Sequence, residues 1–583
     1  MAYFFLTNNQ NLYKATKNNL ASTEFIVSFD FRQDENIYAL ATHKLEFNNT
    51  NAAQHGNDFC IAIGTCIYDE SLNYEKLLED FNGDVSRIRE NTIGQYGVCI
   101  KKGNSLTVYG DACGCYNIYY WSNTDGTWMI SSSLYHMAEV LEGQISLDDF
   151  AIAERAFYKV LLNGRTFFNE IHRLRGTEML FVDLTNKTFK KKRIPVDFPI
   201  GDFNDMVEKA AESYRHNARI AAKVLGKPKI CATGGLDSRI ILAAFLSVGI
   251  KPVLFYGHGN NIITAPKNED IIILKKMNKS LGLELESGDF SVSAPIDKDW
   301  DRYIKTNGFR SAYMWGSQRN VIESLNEGNK LLMFGWGGEY LRRSWYHLYN
   351  TSTPSVDVLL KKWHEMPKFE GLKKDIPNHE TIVKDHFIKE CEYLGINPDN
   401  TFEDDIYLLE IAWGAQADAQ IPSFMQQYKY CYLMSFEYNI QRYRVTASER
   451  DNAKFMLAVM NKLYPQLLKE PIFTHESWVT LDKESLSLVP YINPVDSFKN
   501  NPAIKKIKKS TPSLVKRILH PFALIIYSFL GKKENETYRP DFEIKELTLL
   551  KNKKNMLHIN NIYHYEDRSE YALLCRALNR LGY

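Results

Sequence analysis

The sequence predicts an α/β protein with two differently built domains: packed antiparallel sheets first, then a parallel sheet with crossover helices. Three observations lead there. The chain has 583 residues, too many for one hydrophobic core, so two or three domains are expected. Residues 1–195 hold short runs of alternating apolar and polar side chains, cut by Gly, Asn and Asp turns, the mark of half-buried strands. After residue 203, apolar strands alternate with helix-length segments, the pattern of parallel strands joined through helices.

In order, the N-terminal runs are Tyr3 to Leu6, Phe59 to Ile67, Tyr96 to Lys101, Ser105 to Tyr109, Tyr116 to Trp121 and Trp128 to Ser131. Few helices are expected between them. The basic stretch Lys190-Lys191-Lys192-Arg193, followed by Pro195 and Pro199, reads as a linker. Next come a helix over Phe203 to Val224, a strand over Pro228 to Ala232, a glycine turn, and an apolar helix over Leu236 to Val248. A second strand, Pro252 to Tyr256, leads through a loop to a helix over Asn268 to Leu281. Residues 400–470 read as mostly helical, and from about residue 500 the chain is a Lys-rich extension. The domains are therefore set at residues 1–195, 200–500 and 501–583.

Composition narrows the function classes. With 71 Lys and Arg against 70 Asp and Glu, the formal charge is +1, so no global field recruits nucleic acid or an anionic membrane. The nine cysteines are scattered, with no second pair at zinc-site spacing, and are expected to be reduced and mostly buried, as suits the cytosol. The start, Met-Ala-Tyr-Phe-Phe-Leu-Thr-Asn, lacks the pattern of a signal peptide. No apolar run is long enough to span a bilayer. A cytoplasmic protein is expected.

The segment richest in chemistry is Thr233-Gly234-Gly235-Leu236-Asp237-Ser238-Arg239, after the strand Lys229 to Ala232. Glycines let backbone N–H groups approach a phosphate with no Cβ in the way. The following helix N-terminus adds unpaired N–H groups and partial positive charge. Thr233 and Ser238 can add donors, and Asp237 can hold the Mg²⁺ that accompanies a nucleotide. It is not a Walker loop, since no Gly-Lys-Ser/Thr follows. The competing reading is a plain strand–turn–helix in which Asp237 or Thr233 caps the helix.

The segment resembles the Ser-Gly-Gly-x-Asp-Ser pyrophosphate loop (PP-loop) of the ATP pyrophosphatase superfamily, with Thr233 keeping the first hydroxyl. The resemblance implies ATP and Mg²⁺ as cofactors, cleavage between the α and β phosphates, and transfer of AMP to a carboxylate or carbonyl-type oxygen. Thr233, Gly234, Gly235, Asp237 and Ser238 would hold the phosphates. The strand Val253-Leu254-Phe255-Tyr256-Gly257 would meet adenine through backbone groups at Phe255. Asp270, twelve residues before Gly282, is similar to the Asp of an Asp-x₁₀-Leu-Gly stretch in asparagine synthetases; by itself it reads as a first-turn helix carboxylate. Leu331 to Glu339 resembles that family's strand and Gly-x-Gly-Ser/Gly-Asp loop, placing Gly335 and Gly337 at the nucleotide and Glu339, with Asp237, at magnesium.

The N-terminal domain carries a matching resemblance. Gly94-Gln95-Tyr96, Gly110-Asp111-x-x-Gly114 with Tyr119-Tyr120, Ser131-Ser132-Ser133, Thr166 to Ile171 and Leu174-Arg175-Gly176 look like the ordered pieces of a class II glutamine amidotransferase domain. That implies an Ntn-like αββα sandwich. The likeness covers roughly residues 1–460 and lies in the order of the pieces.

Two departures shape the expected function. Class II glutaminases use an N-terminal Cys as nucleophile; removal of Met1 would expose Ala2, and the first cysteine is Cys60. No glutaminase activity is expected, as in β-lactam synthetases, carbapenam synthetases and lasso-peptide cyclases. The residue between the loop glycines is Trp336, which neither gives nor takes a proton at neutral pH; it reads as a substrate-stacking ring or as a core aromatic. Glu410 and Asp418, on the helical stretch 405–420, are candidate replacement bases, Asp451 resembles the Asp of the family's Pro-Phe-Leu-Asp segment, and no catalytic residue is assigned. The resulting expectation is an ATP-dependent amide-bond-forming ligase joining a carboxylate and an amine, small molecule or peptide. The alternatives are a catalytically impaired nucleotide-binding scaffold and an amidotransferase fed by external ammonia.

Other features read more plainly. Cys113-Gly114-Cys115 falls inside the Gly-Asp-x-x-Gly piece and is taken as structural, as is His258. Residues 505–530, basic and then apolar, offer peripheral contact with a membrane or a biosynthetic partner, or a C-terminal helix packed on the second domain.

Overall fold

The computed structural model describes residues 2–33, 37–47, 51–148, 150–259, 268–291, 297–309, 318–342, 355–365, 369–399, 406–417, 419–474, 477–482, 487–490, 574–578 and 580–582. Two six-stranded antiparallel sheets build the first domain. One has the order His172–Arg173, Tyr119–Ser122, Trp128–Ser131, Phe4–Thr7, Ile37–Thr42, Val27–Gln33. The other runs Thr188–Arg193, Glu178–Asp183, Ser105–Gly110, Tyr96–Lys102, Asp58–Gly64, Ala52–His55.

Strand parity decides the layering. Side chains alternate faces along a strand, so Phe4 and Leu6 pack with Phe59, Ile61 and Ile63 between the sheets. Tyr3 and Phe5 face outward with Leu12 and Leu20 of helix Gln10–Ala21. Cys60 and Ala62 face outward with Leu77 and Leu78 of helix Tyr74–Asp80. The result is an αββα sandwich. It carries more helix than the sequence suggested, since Val85–Glu90, Leu134–Val140 and Ala151–Tyr158 are helical too.

Lys190-Lys191-Lys192-Arg193 is not a linker. It belongs to the edge strand Thr188–Arg193, paired with Glu178–Asp183. Its composition hides the pairing: lysines protect a sheet edge without breaking it. Lys192 Nζ lies 3.9 Å over the Phe181 ring, and Lys191 pairs with Glu178 at 3.0 Å.

The second domain centres on five parallel strands: β1 (Lys229–Cys231), β2 (Val253–His258), β3 (Glu284–Asp289), β4 (Leu331–Met333) and β5 (Tyr430–Tyr432). Their order is β3-β2-β1-β4-β5. The helices that matter below are α1 (Phe203–Leu225), α2 (Asp237–Ser247), α3 (Asn268–Leu281), α4 (His379–Leu394), α5 (Ile406–Ala417) and α6 (Lys454–Leu463). Ala210, Tyr214, Ile240, Phe245 and Val459 join α1, α2 and α6 in one core. Strand β5 interrupts the stretch read as helical, because a three-residue apolar run has no period of its own.

The first domain closes over β5. The Gln95 side chain accepts from Leu433 N at 2.7 Å and donates to Leu433 O at 3.1 Å. Thr65 Oγ1 donates to Cys431 O at 2.7 Å. Glu437 Oε1 accepts from Gly94 N at 2.6 Å. Burial holds the Glu437 carboxyl well above the usual carboxylate range, against the Gly94 N–H that favours its charge. A raised folded pKa contributes stability that is full below the unfolded value and is lost as pH rises toward the folded one. Glu437→Gln, neutral throughout and able to accept from Gly94, is expected to melt higher than wild type at pH 8 and to flatten the decline between pH 5 and 8. Melting curves of both proteins across that range check this.

Residues 501–573, with the 505–530 stretch, lie outside the described residues. Beyond them, Leu574, Cys575 and Leu578 are buried, and the Arg576 guanidinium sits 5.3 Å over Trp300. Among the described residues no helix is long and apolar enough to cross a membrane.

Candidate functional site

In a parallel sheet, a crevice opens outside the carboxyl ends where the strand order reverses. Here that point lies between β1 and β4, and the two glycine loops follow those strands. The chain leaves β1, turns through Thr233-Gly234-Gly235, and enters α2 at Asp237. The residue before the helix, Leu236, is itself in the right-handed helical region, and no side chain caps the end. Neither Asp237 nor Thr233 is the expected helix cap. Thr233 Oγ1 instead accepts from Gly235 N at 3.2 Å, and Ser238 Oγ accepts from Thr233 N at 3.0 Å.

Two buried groups hold the loop from behind. Asp270 Oδ1 accepts from Gly234 N at 2.6 Å, so the acid on the first turn of α3 fixes the glycine turn. A Cβ at Gly234 would stand 2.8 Å from Ile273 Cδ1 and 3.0 Å from Asp270 Oδ1. Arg239, 1% exposed, donates to Gly234 O at 3.0 Å, Pro471 O at 2.8 Å, Leu467 O at 3.1 Å and Glu470 O at 3.0 Å. Burial draws its guanidinium down to about 10, so it stays charged at neutral pH. It ties the loop to the segment after α6.

The loop after β4 packs against the start of α2. A Cβ at Gly335 would meet Ser238 N at 2.4 Å, and Gly337 needs φ +93°. Both oxygens of Asp237 accept from Arg342, at 3.0 Å each. Burial works against the charge of Arg342, but Asp237 and Glu339 hold its guanidinium above the ordinary value. Glu339 Oε2 accepts from Gly337 N at 3.0 Å.

A cavity of about 290 Å³ opens onto this junction. Thr233, Asp237, Ser238 and Gly335 form its polar side, and Phe255, Tyr256, Phe290, Phe334 and Trp336 its aromatic side. Phe334 and Trp336 stack at 4.7 Å and 15°. Trp336 is thus a half-buried cavity wall as well as a packing ring. Five of the sequence-predicted residues, Thr233, Asp237, Ser238, Phe255 and Gly335, line one space. Gly234 and Gly235 lie in the loop behind it, and Gly337 and Glu339 on the adjoining turn. The aromatic walls and loop fit a nucleotide. Magnesium at Asp237 would have to displace Arg342. Among the described residues no group of three or more His, Cys, Asp or Glu could hold a metal.

The other sequence-stressed residues fall elsewhere. Glu410 is fully buried, 3.5 Å from Arg450, and does not line the cavity; Asp418 lies outside the described residues. His258 is exposed at the end of β2. All nine cysteines are free thiols, eight buried and Cys231 half-buried. Asp111 accepts from Cys115 N at 3.0 Å and Tyr116 N at 2.9 Å, making the Cys-Gly-Cys segment a structural turn. The sequence reading missed the roles of Arg239, Arg342 and Phe290. Only Arg239 carried a signal, standing directly after Asp237-Ser238.

No protein family model and no curated protein matches the chain. Solved structures do resemble it. One is a glutamine phosphoribosylpyrophosphate amidotransferase from B. subtilis complexed with ADP and GMP: 10% identity, TM-score 0.23, covering 58% of this chain and 77% of that one. Another is an NMN synthetase from Francisella tularensis: 8% identity, TM-score 0.18, covering 39% of this chain and 96% of that one. A third is described as the allosteric regulatory enzyme of purine biosynthesis: 10% identity, TM-score 0.22, covering 62% and 78%. The reading of the site rests on its geometry.

Proposed function

We propose that the chain is an ATP-dependent, AMP-forming carbon–nitrogen ligase of the asparagine-synthetase type, which adenylates a carboxylate for attack by an amine. The observation that carries this reading is the α2 N-terminus, free of a side-chain cap, beside the 290 Å³ cavity at the β1/β4 reversal. Its N–H groups and the Thr233 and Ser238 hydroxyls suit phosphates, and the aromatic wall suits adenine. Asp237 and Glu339 are the carboxylates that would hold Mg²⁺ arriving with the nucleotide. Arg342, released from Asp237 when magnesium takes its place, would offer a positive charge to the phosphates. Catalysis would rest on charge neutralisation and orientation, with the amine's proton acceptor unassigned. The substrates are a carboxylate and an amine, small molecule or peptide, and the setting is the cytoplasm.

A second reading, a nucleotide-binding scaffold without turnover, is favoured by the Arg342 pair that already occupies Asp237. One assay separates the two. Wild type is expected to bind ATP with Mg²⁺ and, given its carboxylate, to release AMP and pyrophosphate. Asp237→Ala is expected to bind at least about tenfold more weakly, the scale of one charge-assisted contact, and to form no AMP. Binding without AMP across carboxylate libraries would favour the scaffold. If wild type does not bind ATP, the ligase reading falls.

A further inference from the structure

A second cavity, about 110 Å³, lies where the end of the first domain meets α4 and α5. It shares no lining residue with the loop cavity. Its charged lining is Arg173, Arg175, Arg193 and Glu390, three guanidiniums against one carboxylate. That carboxylate is already engaged: Glu390 Oε2 accepts from Asn163 N at 2.7 Å and stands 3.6 Å from Arg175. Glu178 nearby accepts from the backbone N–H of Arg175 at 3.1 Å and pairs with Lys191 at 3.0 Å, so it does not balance the three.

The guanidiniums are held in place, and two of them are left short of acceptors. Arg175 and Arg193 stack on the Tyr393 ring at 3.7 and 4.8 Å. Arg193 also donates to Tyr393 O at 2.9 Å. Arg173 reaches Gly114 O at 3.5 Å, and the Gln416 amide oxygen, in its better-bonded orientation, accepts from Arg173 Nη2 at 2.9 Å. Yet Arg173 Nε and Arg175 Nη1 are buried with no hydrogen-bond partner among the described residues. Arginine does not shed its proton to relieve this. A buried charge short of partners is costly, and a guanidinium fork matches the oxygens of phosphate or carboxylate.

We infer that this cavity, at the boundary of the two domains, binds a phosphate-sized oxyanion held by Arg173, Arg175 and Arg193. The ion is either free inorganic phosphate or the phosphoryl end of a larger metabolite. The test is calorimetric titration of the full chain with inorganic phosphate. The proteins compared are wild type, Arg175→Gln, Arg193→Gln and Gly335→Ala, with folding checked by circular dichroism. Gly335→Ala is expected to keep the binding at this cavity and to lose only phosphate seated at the loop, and both arginine variants are expected to bind here about tenfold or more weakly. Arg193, on an exposed strand edge, keeps the test open should Arg175→Gln not fold. A phenyl phosphate arm sorts the source: tighter binding than phosphate assigns a phosphoryl end, weaker binding the free ion. No heat from wild type at millimolar phosphate overturns the inference. So does equal affinity in the arginine variants, or loss confined to Gly335→Ala, which would put the anion at the loop.

Discussion

Arg239→Met is expected to lower the stability of the second domain by about 4 kcal/mol and to abolish ATP binding with it. The guanidinium donates to four carbonyls, those of Gly234, Leu467, Glu470 and Pro471. Methionine fills much of the volume but withdraws the guanidinium from all four carbonyls, and each buried acceptor left without a donor costs about 1–3 kcal/mol before relaxation. Phe473 N still reaches Gly234 O, at 3.2 Å, which moderates the loss at that one carbonyl. A melting shift of about 6 °C corresponds to that size in a domain of this length. Arg239→Lys should recover part of it, because an ammonium keeps the charge but cannot span four acceptors in one plane. An unchanged melting temperature in Arg239→Met would show that the segment after α6 is held by other means.

The second large effect is at Gly335. Gly335→Ala places a methyl 2.4 Å from Ser238 N and 2.6 Å from the Asp237 carbonyl carbon. Both neighbours are backbone at the start of α2, so no side-chain rotation relieves the contact. Either the β4 loop or the helix N-terminus must shift by about an ångström, and misplacement on that scale costs about a hundredfold in rate. On the proposed reading, AMP formation should fall by about that factor while the circular dichroism spectrum stays that of wild type. Full activity in Gly335→Ala would mean that the two loops do not work as one site.

Much of this arrangement was legible in the chain. Asn268–Leu281 is helical over the residues expected, because polar and apolar positions alternate at helical spacing over several turns. Thr233-Gly234-Gly235 announced a turn between a strand and a helix, since glycines mark places where backbone must come close to something. The class of each half followed from period: two in the first domain, strand and helix alternating in the second.

What local pattern does not encode is which distant groups meet. Lys190 to Arg193 looked like a linker because strand pairing with Glu178–Asp183 is a partner's property, invisible in a run of like residues. Tyr430–Tyr432 read as helix because three apolar residues carry no period, and only the edge offered by β4 makes them a strand. The sequence marked Asp237 as a magnesium ligand without showing Arg342 on both of its oxygens, 105 residues away. Thus the sequence alone determined the alternation of strand and helix around the glycine loop and the position of that loop, through short-range spacing. The tertiary structure alone decided the sheet order that opens the crevice, the burial that fixes Arg239 and Asp270 behind the loop, and the charge pairs at its rim. Those depend on contacts across tens to hundreds of residues, and packing, not propensity, sets them.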